Sequence, residues 1–381
     1  MAIRGQRLVV NAKVKEAIKM RLTLAKSAPK KYTKILKVLG DAERINGALM
    51  YHGAATGRWA SRIVNVQNLP RPTIKHADAA VELFRERDLD LLELYGPPME
   101  VLSSGIRSII KATPGYRLLV ADFSQIEARV LPWLAGQEDV IEVFKTGQDL
   151  YKHAASQVFG VAIDDVDDEQ RFVGKVAMLA LGFQGGARAF SLMAKNYGVD
   201  IDEEKAETIK RAWRRKNDRI VSYWNRCEDA AKMAIESPGK IFRVGQCDFY
   251  VDGQWLLIRL PSGRELAYFK PRLAPGKYGD KIQYMGMNSQ TRAYCILDGY
   301  GGRTVENITQ AVARDCMAEA MLRLDAAGYP IVLTVHDEVI AEVPTSFGSI
   351  DEFVSIMCES PPWADGLPIE ADGFETVRYR K

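Results

Sequence analysis

The sequence predicts an α+β fold, and three observations carry that prediction. Leu118-Leu119-Val120-Ala121 is an apolar run that suits a strand buried on both faces; it ends on Asp122, after which SQIEARVLPWLA takes up helical spacing. Alternating apolar stretches, IVLTV and EVIAEV, flank His336-Asp337 as in a hairpin or a sharply bent strand pair. Between these strand signals lie long stretches of helical periodicity, among them RFVGKVAMLALGFQGG and GGRTVENITQAVARDCMAEAMLRLDAAG.

A chain of 381 residues is long enough for two or three substructures around a substantial core. Its 47% hydrophobic and 27% charged content is that of an ordinary soluble globular protein. The first 50 residues hold twelve Lys and Arg against three acids, a net +9, so the rest of the chain carries −6 of the overall +3. A basic arm ahead of a mildly acidic body suits a polyanion such as nucleic acid; the plainer reading is a solvated, Lys-rich helical face. Five scattered cysteines without a CxxC pair speak against a disulfide framework and a zinc site. With no signal peptide and no long apolar span, the expected setting is a reducing cytoplasm, with no membrane partner.

Taken in order, residues 12–38 have helical spacing, broken by Pro29 and ended near Gly40. YHGAATGRWASRIVNVQNLPRP, from Tyr51 to Pro72, is polar and glycine-containing, a working loop or an irregular strand in which Arg58, Asn65 and Gln67 could read base edges or hold phosphates. Residues 77–95 read as helical, and Ser103–Lys111 as a lead into the first strand. Asp122 is equally a helix cap on this stretch alone. A helical pair is expected over 137–160, with Tyr151 and His153 on its polar side. The acids from Asp164 to Glu169 lack the spacing and glycine of a calcium loop, and read as the start of the next helix, favoured by its dipole. On that helix Arg171, Lys175, Leu179 and Phe183 recur every four residues as one stripe, ended by Gly182, Gly185 and Gly186. Residues 203–235 read as charged helix and 240–290 as short strands and turns. The long helix bearing Gln310 stops before Gly328, and the acids of the later PIEADG segment read as surface or strand-edge residues.

Two acids on rigid strands, Asp122 and Asp337, suit a pair of divalent cations about 3.5–4 Å apart, the arrangement of two-metal phosphoryl transfer. Hard oxygen ligands favour Mg²⁺. The guanidinium of Arg171 and the ammonium of Lys175, one turn apart, can hold a triphosphate, and Phe183, two turns beyond Lys175, can stack on a base. No Ser-His-Asp or Cys-His set and no phosphate-binding glycine loop is evident. An ordinary amphipathic helix with solvated cations explains the stripe on its own; the acids together with it point to phosphoryl transfer.

TGRW…NVQNLP, DFSQIEAR, RFVGKVAMLALGF and VHDEV follow in that order at plausible intervals, and over about five-sixths of its length the chain resembles the family A DNA polymerases, especially their phage members. The resemblance implies a right-hand fold with an antiparallel palm sheet, helical fingers and a truncated thumb: residues 1–50 as a basic thumb remnant, 51–135 as the first part of the palm, 136–290 as fingers and 291–381 as the second part of the palm. It implies Asp122, Asp337 and the backbone carbonyl of Phe123 as ligands of two Mg²⁺ ions, with Mn²⁺ as a substitute, and Glu338 as support. Arg171 and Lys175 hold the dNTP triphosphate, Lys175 being the candidate proton donor to pyrophosphate. Gln125 and Leu179 join the nucleotide site, and Glu127 and Phe183 exclude a 2′-hydroxyl. Arg58 and Gln310 read the minor groove of the nascent pair, Asn65 and Gln67 touch the primer–template backbone, and His336 touches the primer end. The setting implied is a bacterial or phage-infected cell.

The chain departs from the pattern in three places. Leu179 stands where the family usually has Phe or Tyr, and Glu306 where an Asn is often found. Only about fifty residues precede the first motif, so the expectation is no intrinsic proofreading, weak processivity and reliance on a separately encoded exonuclease or processivity factor. The competing readings are a single-subunit RNA polymerase, which Glu127 argues against, a non-catalytic DNA-binding remnant, and a two-metal nuclease, which has no use for a triphosphate stripe.

Overall fold

The computed structural model describes residues 12–24, 28–40, 42–276 and 279–380. Its centre is a four-stranded antiparallel sheet in the order Ile331–Val335, Glu338–Pro344, Tyr116–Phe123, Ala371–Thr376. Leu118 to Ala121 are at most 2% exposed. Successive side chains point to opposite faces, and both faces are covered. Leu119, Ala121 and Phe123 enter the main core, while Leu118 and Val120 join a smaller cluster with Ala112, Val335, Ile340 and Tyr379. The unbroken apolar run is therefore what a doubly covered strand requires, each buried Leu or Val side chain contributing about 1.5–3 kcal/mol.

Helix Ile350–Cys358 packs on the central and edge strands, and the long helix Gly301–Ala326 packs against it and against helices Ile126–Ala135 and Asp218–Glu236. Helices Leu150–Phe159 and Asp168–Leu181 lie against one another, the second opened by a capping box between Asp167 and Gln170. Gly174 makes the crossing possible: a Cβ there would stand 2.2 Å from the Tyr151 carbonyl oxygen.

Between residues 242 and 299 six strands form one antiparallel meander in sequence order, turned tightly at Gly245, Gly253 and Gly263, all at positive φ. Its last strand, Tyr294–Gly299, runs past the boundary expected at residue 290. The reason is local: the Asn288 side chain accepts from the N–H groups of Gln290 and Thr291, making the link a tight turn instead of a linker.

Four further local expectations are corrected. Pro29 breaks no helix: it lies in the first turn of helix Ala28–Val38, where its missing N–H costs nothing. Part of the basic arm (residues 1–11, 25–27 and 41) lies outside the described residues. Ser103 to Gly105 belong to helix Pro98–Gly105, not to a lead-in to the strand. Asp122 caps no helix, because the next one begins at Ile126 with Gln125 as its left-handed N-cap. Phe183 lies past the end of helix Asp168–Leu181, where Gly182 is the C-cap.

Candidate active site

The acids meet at one end of the sheet. Glu338 pairs directly opposite Asp122, and Asp372 flanks Asp122 on the other side. His336-Asp337 is the two-residue turn between paired Val335 and Glu338, and the Phe123 N–H donates to the Asp337 carbonyl at 3.2 Å. His336 has φ 55, a left-handed conformation costing about 1–3 kcal/mol in a residue with a side chain. Gln67 offsets this: its Oε1 accepts from the His336 N–H at 2.5 Å, its Nε2 donates to the Thr334 carbonyl at 3.2 Å, and the His336 ring Nε2 donates to the Gln67 carbonyl at 2.8 Å.

Asp122, Phe123, Gln125, Glu127, Leu179, Phe183, His336, Asp337 and Glu338 all line one cavity of about 570 Å³. Arg58 Nη2 donates to Glu127 Oε1 at 2.5 Å and to Asp337 Oδ1 at 3.4 Å. Burial, with the negative charges of Glu127 and Asp122, pushes the Asp337 carboxyl above its usual range against the pull of Arg58. Glu306, also on the cavity wall, is pushed up by burial and by Glu127. Carboxylates crowded this way favour a hard divalent cation among them. Among the described residues no group of three or more His, Cys, Asp and Glu is assembled for a metal, so a cation here would complete its shell with backbone, water and substrate oxygens.

Arg171 and Lys175 lie up the helix from the cavity. Arg171 Nε donates to Asp149 Oδ2 at 2.7 Å; burial alone would raise that carboxyl, but the guanidinium and the N–H groups of Lys152 and Tyr151 hold it low. Tyr151 carries both cations over its ring, Arg171 at 5.4 Å and Lys175 at 5.8 Å from the centroid, with Tyr197 at 5.7 Å from Lys175. Leu179, 47% exposed, opens into the cavity one turn further on. His153 is structural, bonded to Gln157 and beside Asp139, whose carboxyl it helps to hold at about 2.

The residues expected on nucleic acid are held by the loop they occupy. Asn65 Oδ1 accepts from the Asn68 N–H at 3.2 Å, while the carbonyls of both residues accept from Lys31 Nζ at 3.1 and 2.6 Å. The Arg58 segment is pinned by Arg314, which donates to the Gly57 carbonyl at 2.9 Å and lies over Trp59 at 4.7 Å, and by Arg264, which donates to the Thr56 carbonyl at 3.0 Å. Asp315 joins the two, 2.7 Å from Arg264 Nε and 3.2 Å from Arg314 Nη1. Gln310 Nε2 donates to Glu306 Oε1 at 3.5 Å and is not on the cavity wall.

Several residues of the site escaped sequence reasoning: Tyr151 in its positional role, and Arg107 and Tyr379, which line the cavity from outside every motif. Arg107 sits in an apolar stretch, the one signal that could have flagged it as a buried cation with partners.

Residues 6–237, well over half of the chain, match the sequence profile of DNA polymerase family A. A DNA polymerase of Bacillus phage SP02 is 41% identical over 375 residues, which is 97% of this chain and 57% of that protein. DNA polymerase I of Chloroflexus aurantiacus is 35% identical over 159 residues, 42% of this chain and 14% of that protein. The chain thus spans little more than half the length of the phage relative. Among solved structures, the POL domain of Pol1 from M. smegmatis, in complex with DNA primer-template and dNTP, matches with a TM-score of 0.61 at 22% identity over 91% of this chain and 50% of that one, a likeness of fold. By that profile, this chain belongs to DNA polymerase family A.

Proposed function

We propose that the chain is a template-directed DNA polymerase that adds dNTPs to a primer 3′-hydroxyl by two-metal-ion phosphoryl transfer. The observation that carries this reading is the apposition of Asp122 and Asp337 at one sheet end, tied by the Phe123-to-Asp337 backbone bond at 3.2 Å. Asp122, Asp337 and the Phe123 carbonyl would hold two Mg²⁺ ions. Such ions, when bound, activate the attacking 3′-hydroxyl and neutralise charge on the α-phosphate and the leaving pyrophosphate.

The chain's own groups bind, orient and exclude. Arg171 and Lys175, carried on one helix face, bind the triphosphate, and Lys175 Nζ gives a proton to the departing pyrophosphate. Glu127 and Phe183 close the cavity against a 2′-hydroxyl, which favours dNTPs over rNTPs. Arg58 and Gln310 would read the minor groove of the nascent pair. Asn65 and Gln67 touch the primer–template backbone, and Gln67 also holds the turn that presents Asp337 and sets His336 at the primer end. Residues 51–135 and 291–381 serve as palm and 136–290 as fingers, the meander continuing to Gly299.

Primer extension by the chain as it stands, with Mg²⁺ and dNTPs, tests the reading. Template-copied product is expected. Tight primer–template binding without Mg²⁺-dependent extension would replace the enzyme with a binding module, and a preference for rNTPs would make it an RNA polymerase.

A further inference from the structure

Glu338 is the most enclosed of the acids at the sheet end, 2% exposed, and a buried carboxylate requires partners to hold it in one orientation. One comes from the far end of the chain. The Tyr379 hydroxyl donates to Glu338 Oε1 at 2.6 Å and accepts from Arg107 Nη1 at 3.3 Å. Tyr379 is itself 1% exposed, and Arg107, 7% exposed, lies 5.5 Å from its ring centroid. The other two arms of the guanidinium reach the loop that follows Gln67: Nη2 donates to the Leu69 carbonyl at 2.7 Å and Nε to the Pro70 carbonyl at 3.0 Å. Arg107, whose planar fork suits several acceptors at once, thus braces the template loop and the phenol with one rigid group. The Tyr379 N–H donates to the Ile110 carbonyl at 2.8 Å, closing this C-terminal segment onto the stretch that carries Arg107.

We infer that Tyr379, oriented by Arg107, is a positioning residue for the reaction: through its hydroxyl it fixes the Glu338 carboxylate beside Asp122, and through Arg107 it ties that orientation to the loop carrying Gln67. The inference rests on the polymerase reading above. An uncharged donor suits the task, because it satisfies the carboxylate without neutralising it. Burial and the Glu338 charge raise the phenol's pKa, so the proton stays on Tyr379 at any working pH.

Tyr379→Phe tests this, since it removes only the hydroxyl and keeps the ring in its cluster with Val120, Val335 and Ile340. The full chain should retain its primer–template Kd within about twofold while kcat for extension falls about tenfold, the scale of a lost hydrogen bond to a charged group. The discriminating readout is a double-mutant cycle. In the Glu338→Gln background Tyr379→Phe should add no further loss, because its effect passes through the carboxylate. Unchanged kcat in Tyr379→Phe, or a full additional tenfold loss in the Glu338→Gln background, would overturn the inference. Mn²⁺ binding, followed by its paramagnetic resonance signal, serves as a second arm that needs no turnover: Tyr379→Phe should weaken it severalfold, and equal binding would count against the inference. Failure of the unmodified chain to extend a primer would instead overturn the polymerase reading, leaving the Mn²⁺ arm to decide the role of Tyr379.

Discussion

Asp122 and Glu338 are register partners across the two inner strands of the sheet, so Asp337, one residue before Glu338, is carried to the same end as Asp122 from more than two hundred residues away in the chain. A slip of one residue would turn every side chain of a strand to the other face. The packed pattern from Leu118 to Ala121 against Val339 to Ala341 forbids that slip, and in this way core packing specifies the chemistry.

The first prediction concerns the sugar. Glu127 lines the cavity and is held by Arg58 at 2.5 Å. Glu127→Ala opens space and removes a negative charge, so preference for dNTPs over rNTPs should fall by about tenfold or more, a scale set by the modest discrimination of pockets that merely tolerate a hydroxyl. Single-nucleotide incorporation with each substrate measures it. An unchanged ratio would place the gate elsewhere.

Leu179 is the second. It opens into the cavity at 47% exposure, one turn beyond Lys175. An aromatic ring would fill that space, so Leu179→Tyr should change the ratio of dideoxy- to deoxynucleotide incorporation. Equal ratios before and after would show that this position does not contact the sugar.

Gly174 gives a stability prediction. Helix propensity alone favours Ala over Gly by about 1 kcal/mol. A Cβ here, however, would lie 2.2 Å from the Tyr151 carbonyl oxygen and 2.9 Å from the Ala155 nitrogen, both backbone atoms that cannot step aside singly. Overpacking of this kind costs about 1–3 kcal/mol, so Gly174→Ala should destabilise the chain and lower its thermal midpoint. A raised midpoint would show that the two helices separate easily.

Arg314 is 5% exposed and joins the Gly57 carbonyl, Asp315 and the Trp59 ring. Arg314→Ala leaves Asp315 buried with Arg264 as its remaining cation. Losing one of the two cations from this cluster should cost about 1.5–3 kcal/mol, the scale of a hydrogen bond to a charged group, and the loop presenting Arg58 should loosen with it. Denaturant unfolding and protease sensitivity near Gly57 report the two effects; a loss below about 1 kcal/mol would mean that Arg264 suffices alone.

Much of this was legible in the sequence because the informative signals are local. The run ending at Asp122 reads as strand since both its faces are covered, and His336-Asp337 reads as a turn since its flanks alternate. The stripe from Arg171 to Leu179 follows from helical spacing, whereas Phe183 falls beyond the helix because Gly182 ends it. What stayed hidden depends on contacts between distant segments. Nothing local joins Tyr379 to Glu338 or Arg314 to Gly57, or shows that the Gln67 side chain holds the His336 backbone. The meander's extension past residue 290 was hidden because an Asn-capped turn and a linker share the same polar composition.

The most direct measurement is Mg²⁺-dependent primer extension by Asp122→Ala and Asp337→Ala beside the unmodified chain, with primer–template binding followed in parallel. The account predicts that each variant loses extension by several orders of magnitude while still binding DNA. Full extension by either one would contradict it.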